Sequence, residues 1–124
     1  MMLGSAVAGF IVSAAADSAE PVARGDSAYA NRQLNEAIAH YSEALKESPR
    51  DLRALSHLTR AESEQSESEK GDTRDRLAAS AVAHARTAVE VAPDSSVSHV
   101  WLAVALGRQA LHAGPHAKLG MARE

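Results

Sequence analysis

The sequence predicts an all-α fold of helix pairs stacked in series, on three observations. Small and apolar residues recur at helical spacing and are closed by a proline, and this happens twice. The first run is Gly25, Ala28, Leu34, Ala37, Tyr41 and Ala44, ending at Pro49; the second is Ala81, Ala85 and Ala88, ending at Pro93. Hydrophobic content is 45% but aromatic content only 3%, so the apolar fraction is mostly alanine, valine and leucine. That composition suits closely approaching helices rather than a sandwich or barrel, which draws on β-branched and aromatic runs. Repeats of this kind commonly serve as docking surfaces.

The 124 residues make one small domain. The net charge of −3 comes without a dense Lys/Arg cluster, so no nucleic-acid partner is expected. The absence of cysteine excludes disulfides and thiolate metal sites. Residues 1–16 (MMLGSAVAGFIVSAAA) carry no charge. As a helix they would span ~24 Å, short of the ~30 Å hydrocarbon core, so no stable transmembrane span is expected. The run reads as the apolar part of a secretory signal with Ala14-x-Ala16 as its cleavage site, although no Lys or Arg precedes it. An apolar first helix packing on the domain and a short membrane anchor are the alternatives. Export to the periplasm follows from the first reading; a cytoplasmic location follows if the run is no signal.

The first pair, 17–49, opens near Asp17 or Ser18, both good N-caps, with Pro21 in the first turn, where proline is tolerated. Its first helix is expected to reach Arg32. The second begins at Asn35 or Glu36, with Leu34, Ala37, Ile38, Tyr41, Ala44 and Leu45 as its stripe, and Ser48-Pro49 ends it. The second pair, 50–93, starts with Asp51 as cap and Leu52, Leu55, Leu58 and Thr59 facing inward. No apolar residue lies between Glu62 and Asp75, so 62–73 is expected to be a solvated Glu/Ser-rich loop. Ser63, Ser66 and Ser68 in it are conceivable phosphoacceptors, against the simpler reading of a plain solvated loop. A helix from Arg74 to Val91 follows, with Leu77, Ala81, Val82, Ala85, Ala88 and Val89 inward. The third unit, 94–124, holds a helix from Ser96 to Leu111, broken by Gly114-Pro115. Its partner, from His116 onward, is expected to be unfinished.

The signature Gly25, Ala37, Tyr41, Ala44, Pro49, repeated in part as Ala81, Ala88, Pro93, resembles the tetratricopeptide repeat, with Ala85 where that family has an aromatic. The resemblance implies a right-handed superhelix of two helix pairs and an incomplete third. In it, Gly25 and Ala37 allow the helices of a pair to approach and Tyr41 fills the gap between them. Pro49 and Pro93 lie 44 residues apart, about ten more than the usual repeat of about 34. That excess, followed by Ala81-x-x-His84-Ala85-Arg86 and by Ser98-His99-x-Trp101-x-Ala103, is similar to the regulator of microtubule dynamics family and its bacterial relatives. For the animal members of that family the resemblance implies microtubule association. An exported chain would not meet tubulin.

The resemblance also implies that the first helix of each pair lines a concave groove that takes a peptide or protein. On the first helix of pair two, Arg53, His57 and Arg60 form a basic stripe that could meet a carboxylate or an acidic peptide. The plain alternative is a solvated face paired to nearby glutamates. On the third-unit helix, Val97, Val100, Trp101 and Val104 could anchor a peptide; alternatively Trp101 is core. Self-association through this apolar helix is the second functional reading. The Lys/Asn/Arg clamp of the chaperone-binding subclass is replaced by Val22, Asp26, His57, Val97 and Trp101, so a Glu-Glu-Val-Asp tail is not an expected ligand. The six histidines show no ligand spacing, and no nucleophile triad or phosphate loop is recognisable. Neither an enzyme, a cofactor nor a metal is expected.

Overall fold

In the computed structural model, which describes residues 18–113, the described chain is helical apart from its connections. Helix α1 covers 18–30, α2 Leu34–Glu47, α3 Leu52–Ser68, α4 Gly71–Val91 and α5 Ser96–His112. The run 1–16 and the segment from His116 onward lie outside the described residues.

Each boundary has a local cause. Helix α1 closes on a Schellman turn: the Gln33 amide donates to the Ala28 carbonyl (2.9 Å) and the Arg32 amide to Tyr29 (3.0 Å). Arg32 therefore sits in the left-handed region, φ 61°, and α1 ends before the Arg32 end expected from its sequence. Asp51 caps α3 by accepting from the amides of Arg53 (3.0 Å) and Ala54 (3.2 Å). Ser95 caps α5 through the Ser98 amide. Pro49 and Pro93 each follow a helix that has just ended.

Helices α1, α2 and α3 share one core of Val22, Ala28, Ala37, Tyr41, Ala44, Ala54, Leu58 and Ala61. Helices α4 and α5 share a second core of Ala81, Val82, Ala85 and Ala105, covered by Leu102 and Leu106. Helix α3 packs on α2, α4 and α5 and so joins the two. Alanine supplies most of both cores because small side chains bring helix axes close. One close approach is at Gly25. A Cβ built there would lie 2.4 Å from Cε1 of Tyr41, a residue with no exposed surface.

The solvated loop expected at 62–73 is not there. Helix α3 continues to Ser68, α4 begins at Gly71, and only Glu69 and Lys70 link them. The stripe begun by Leu55, Leu58 and Thr59 runs on through Glu62, Ser63 and Ser66, all buried. Serine serves in these turns as alanine does elsewhere, because it is small. At Ser66 the hydroxyl is returned to the helix, Oγ donating to the Ser63 carbonyl at 2.7 Å; the Ser63 hydroxyl is buried without a partner. The extra residues of the second pair thus lengthen its two helices, and burial closes Ser63 and Ser66 to modification. Gly71, with φ +60°, makes the sharp entry into α4, three residues ahead of the expected Arg74 start.

The Gly25 contact gives a test with a diagnostic sign. At an exposed helical position, glycine to alanine gains up to about 1 kcal/mol. Here Gly25→Ala must displace the Tyr41 ring and is expected to cost about 1–3 kcal/mol. Urea melts of Gly25→Ala against wild type check this; a gain in stability would mean the ring gives way freely.

Candidate functional site

Asp26 of α1 organises a polar cluster between α1 and α3 that Tyr41 of α2 joins. Its Oδ1 accepts from the Tyr41 hydroxyl at 2.6 Å and from His57 Nδ1 at 2.8 Å, and its Oδ2 from Arg53 at 2.9 Å. The Tyr41 and His57 rings meet edge to face, 5.5 Å apart. Burial works against the Asp26 charge. The Tyr41 hydroxyl, His57 and Arg53 outweigh it together and hold the carboxyl below its ordinary 3.8. The same burial and the Asp26 partner push the Tyr41 phenol far up.

One turn further along α1 and about two along α3, the Tyr29 hydroxyl donates to Glu64 at 2.5 Å, and Arg60 stacks on the Tyr29 ring, 3.8 Å from its centre. Arg32 reaches the same Glu64 carboxylate at 3.8 Å. Asp26 meets residues 53 and 57, and Tyr29 meets 60 and 64, so α1 and α3 run parallel. Burial, then the Glu64 acceptor, raises the Tyr29 phenol.

The basic stripe expected on α3 is therefore largely engaged by α1. Arg53 and His57 share Asp26, and Arg60 lies over Tyr29 with its Nε buried and without a partner. The side chain of Arg53 remains 66% exposed and that of His57 27%. Val22, a clamp position, is core at 2% exposure. The α5 residues form a separate group on the next helix. Val97 and Val100 are exposed, at 56% and 57%, while Trp101 and Val104 are half-buried.

The sequence reading missed Asp26 as the organising acceptor. A signal was available, because a phenol buried against a glycine needs a nearby acceptor. It also missed the tie between α3 and α4. Glu62, 5% exposed, accepts from Ser80 Oγ at 2.5 Å and from His84 Nδ1 at 2.7 Å. An open cleft of about 290 Å³ lined in part by Asn35, Glu69 and Arg76 leads to it. Ser80 donates to the carboxylate and not to the imidazole, which is 3.5 Å away and is itself bound to the same carboxylate. At the far end of α3, Arg108 of α5 pairs with Glu67, His112 Nε2 lies 3.3 Å from Ser66 Oγ, and Arg74 of α4 donates to the His112 carbonyl at 3.3 Å. Burial, with the cations of Arg74 and Arg108 adding to it, lowers the His112 pKa. Among the described residues no cluster of three or more His, Cys, Asp or Glu side chains could hold a metal, and no helix is long and apolar enough to cross a membrane.

A depressed carboxyl stabilises the fold above its ordinary pKa, and that contribution is lost as pH falls through the folded value. Asp26→Asn is therefore expected to cost about 1–3 kcal/mol at neutral pH, since it weakens the acceptor for a buried phenol. It should cost clearly less once pH drops well below 3.8. Urea midpoints of both proteins at pH 7 and in the acid range measure the difference; parallel acid limbs would remove Asp26 from this role.

With that geometry in place, comparison with known proteins adds one assignment. No curated protein and no solved structure matches the chain. Residues 22–124 match the family model described as Regulator of microtubule dynamics protein 1-3. That span takes in all of the described core from Val22 onward, and the chain belongs to the regulator of microtubule dynamics family.

Proposed function

We propose that this chain is a protein–protein interaction module. In this reading its helices follow the tetratricopeptide plan, a right-handed superhelix in which α1, α3 and α5 line one face that docks a protein or peptide. One observation carries the reading. Helices α1 and α3 run parallel and side by side with α2 between them in sequence, as Asp26 to Arg53 and His57, and Tyr29 to Arg60 and Glu64, require. Helix α5 packs on α3 in turn. Such an array turns the same side of alternate helices outward, and repeat proteins use that surface for binding.

The charge on this face narrows the partner. Asp26 and Glu64 answer part of the charge of Arg32, Arg53 and Arg60, leaving a cationic excess. Arg53 spends one nitrogen on Asp26 and keeps donors toward solvent. That favours a carboxylate-bearing partner. Family membership makes the microtubule the first partner to test. Catalysis is not part of this reading.

Cosedimentation with stabilised microtubules tests the proposal, using wild type and Arg53→Glu/Arg60→Glu, with helicity checked by circular dichroism. Wild type is expected to pellet with the polymer, and the double variant is expected to bind roughly tenfold or more weakly. Equal binding by both would move the contact off this face; a wild type that stays in the supernatant would remove the microtubule as partner.

A further inference from the structure

His57 of α3 has committed one of its two ring nitrogens. Nδ1 lies 2.8 Å from Asp26 of α1. The Asp26 carboxyl is held below its ordinary value, so at neutral pH it is an ionised acceptor and Nδ1 carries the hydrogen. The Tyr41 ring of α2 stands edge to face against the imidazole, 5.5 Å away, and steadies its plane. Nε2 is left over. It has no hydrogen-bond partner among the described residues and is not one of their buried unpartnered atoms, and the side chain is partly exposed. The ring is therefore held on one side, with its second nitrogen open to solvent.

Arg53 and Arg60 stand four residues before His57 and three after it, which puts all three on one side of α3. The charges around the ring oppose one another. Asp26, from α1, favours a proton on it. Arg53 and Arg60, from its own helix, disfavour one. Tyr41, from α2, stays neutral, because burial and the Asp26 partner push its phenol far up. A carboxylate arriving on the Nε2 side adds a second anion and tips this balance. A neutral ring with its hydrogen on Nδ1 offers that carboxylate only a lone pair, whereas the protonated ring offers a donor.

We propose that His57 couples binding on this face to a proton: an acidic peptide segment docks with one carboxylate on Nε2, and the ring takes up a proton from water as it does so. This coupling presupposes the docking face proposed above and makes its affinity depend on pH. Arg53 and Arg60 stay charged throughout the physiological range, so on their own they give an affinity that does not change with pH. Histidine is the side chain that ordinarily changes charge between about pH 5 and 8, and His57 is the one between the two arginines.

Isothermal titration calorimetry of the full chain with a decaglutamate peptide, at about pH 6, 7 and 8, tests this; the peptide remains ionised over that range. Wild type is expected to bind roughly fivefold or more tightly at the acid end than at the alkaline end. At neutral pH its heat is expected to vary with the ionisation enthalpy of the buffer in the sense of proton uptake. His57→Asn keeps an amide donor for Asp26 where Nδ1 stood and removes Nε2. It is expected to bind at the alkaline end within about twofold of wild type, and to lose both the pH slope and the uptake. His40→Asn, on α2 beside Glu43, is expected to keep the wild-type slope, which excludes a general gain of positive charge as the cause. A flat wild-type profile overturns the coupling, and so does a His57→Asn variant that keeps the slope. If circular dichroism shows that His57→Asn has lost its helices, the wild-type ring decides by NMR. Adding peptide at neutral pH is expected to move the His57 Hε1 resonance toward its acid position; an unmoved resonance overturns the coupling. Arg53→Glu/Arg60→Glu judges the docking face separately. A pH-independent affinity that this variant abolishes keeps the face and removes the coupling, whereas a wild type that binds no peptide at any pH removes both.

Discussion

The rest of the fold depends on the close approach of α1 and α2 at Gly25. With no side chain there, the Tyr41 ring can lie against bare helix and still reach Asp26 one residue further on. The ring closes the first core, and its hydroxyl fixes the carboxylate that holds Arg53 and His57 of α3. One missing methyl group therefore sets the spacing of two helices and, through the phenol, the rotation of a third. Hydrophobic burial alone would leave that rotation loosely fixed, because a core of alanines offers little shape to lock against. The Asp26 cluster supplies the direction that the alanines lack.

Much of the helical plan was readable because its signals are steric and local. Asp51, Pro49 and Pro93 act within a few residues of where they stand, and Ala37, Tyr41 and Ala44 are one helical face. The reading failed where polarity was taken as a guide to burial. Glu62, Ser63 and Ser66 look like loop residues by hydropathy. They are buried because close helix packing selects by size, and because Ser80 and His84 satisfy Glu62 and a helix carbonyl satisfies Ser66, while the Ser63 hydroxyl is buried without a partner. Those partners lie on another helix or depend on the helix being formed already, so no local pattern could reveal them.

The basic stripe shows the same division. Its spacing on α3 was readable from residues 53, 57 and 60. Its chemistry was not, because Asp26 and Tyr29 belong to a helix some thirty positions earlier. Their meeting depends on α1 and α3 being parallel neighbours. The valines of α5 were easier to read, since an apolar residue left on the surface needs no partner to be recognised. The two groups differ in chemistry, charged on α3 and apolar on α5.

The extended second pair has a consequence for how this protein can change in length. The last turn of α3 and the first of α4 are where α5 is anchored, through Glu67 to Arg108, Ser66 to His112 and Arg74 to the His112 carbonyl. They form a shelf for the end of the next helix. Trimming the Glu/Ser-rich stretch to restore an ordinary repeat would not shorten a loop. It would take the shelf away and leave the final turn of α5 unsupported. The lengths of three helices in this chain are therefore one variable, and a deletion or insertion in any of them must be matched in the other two.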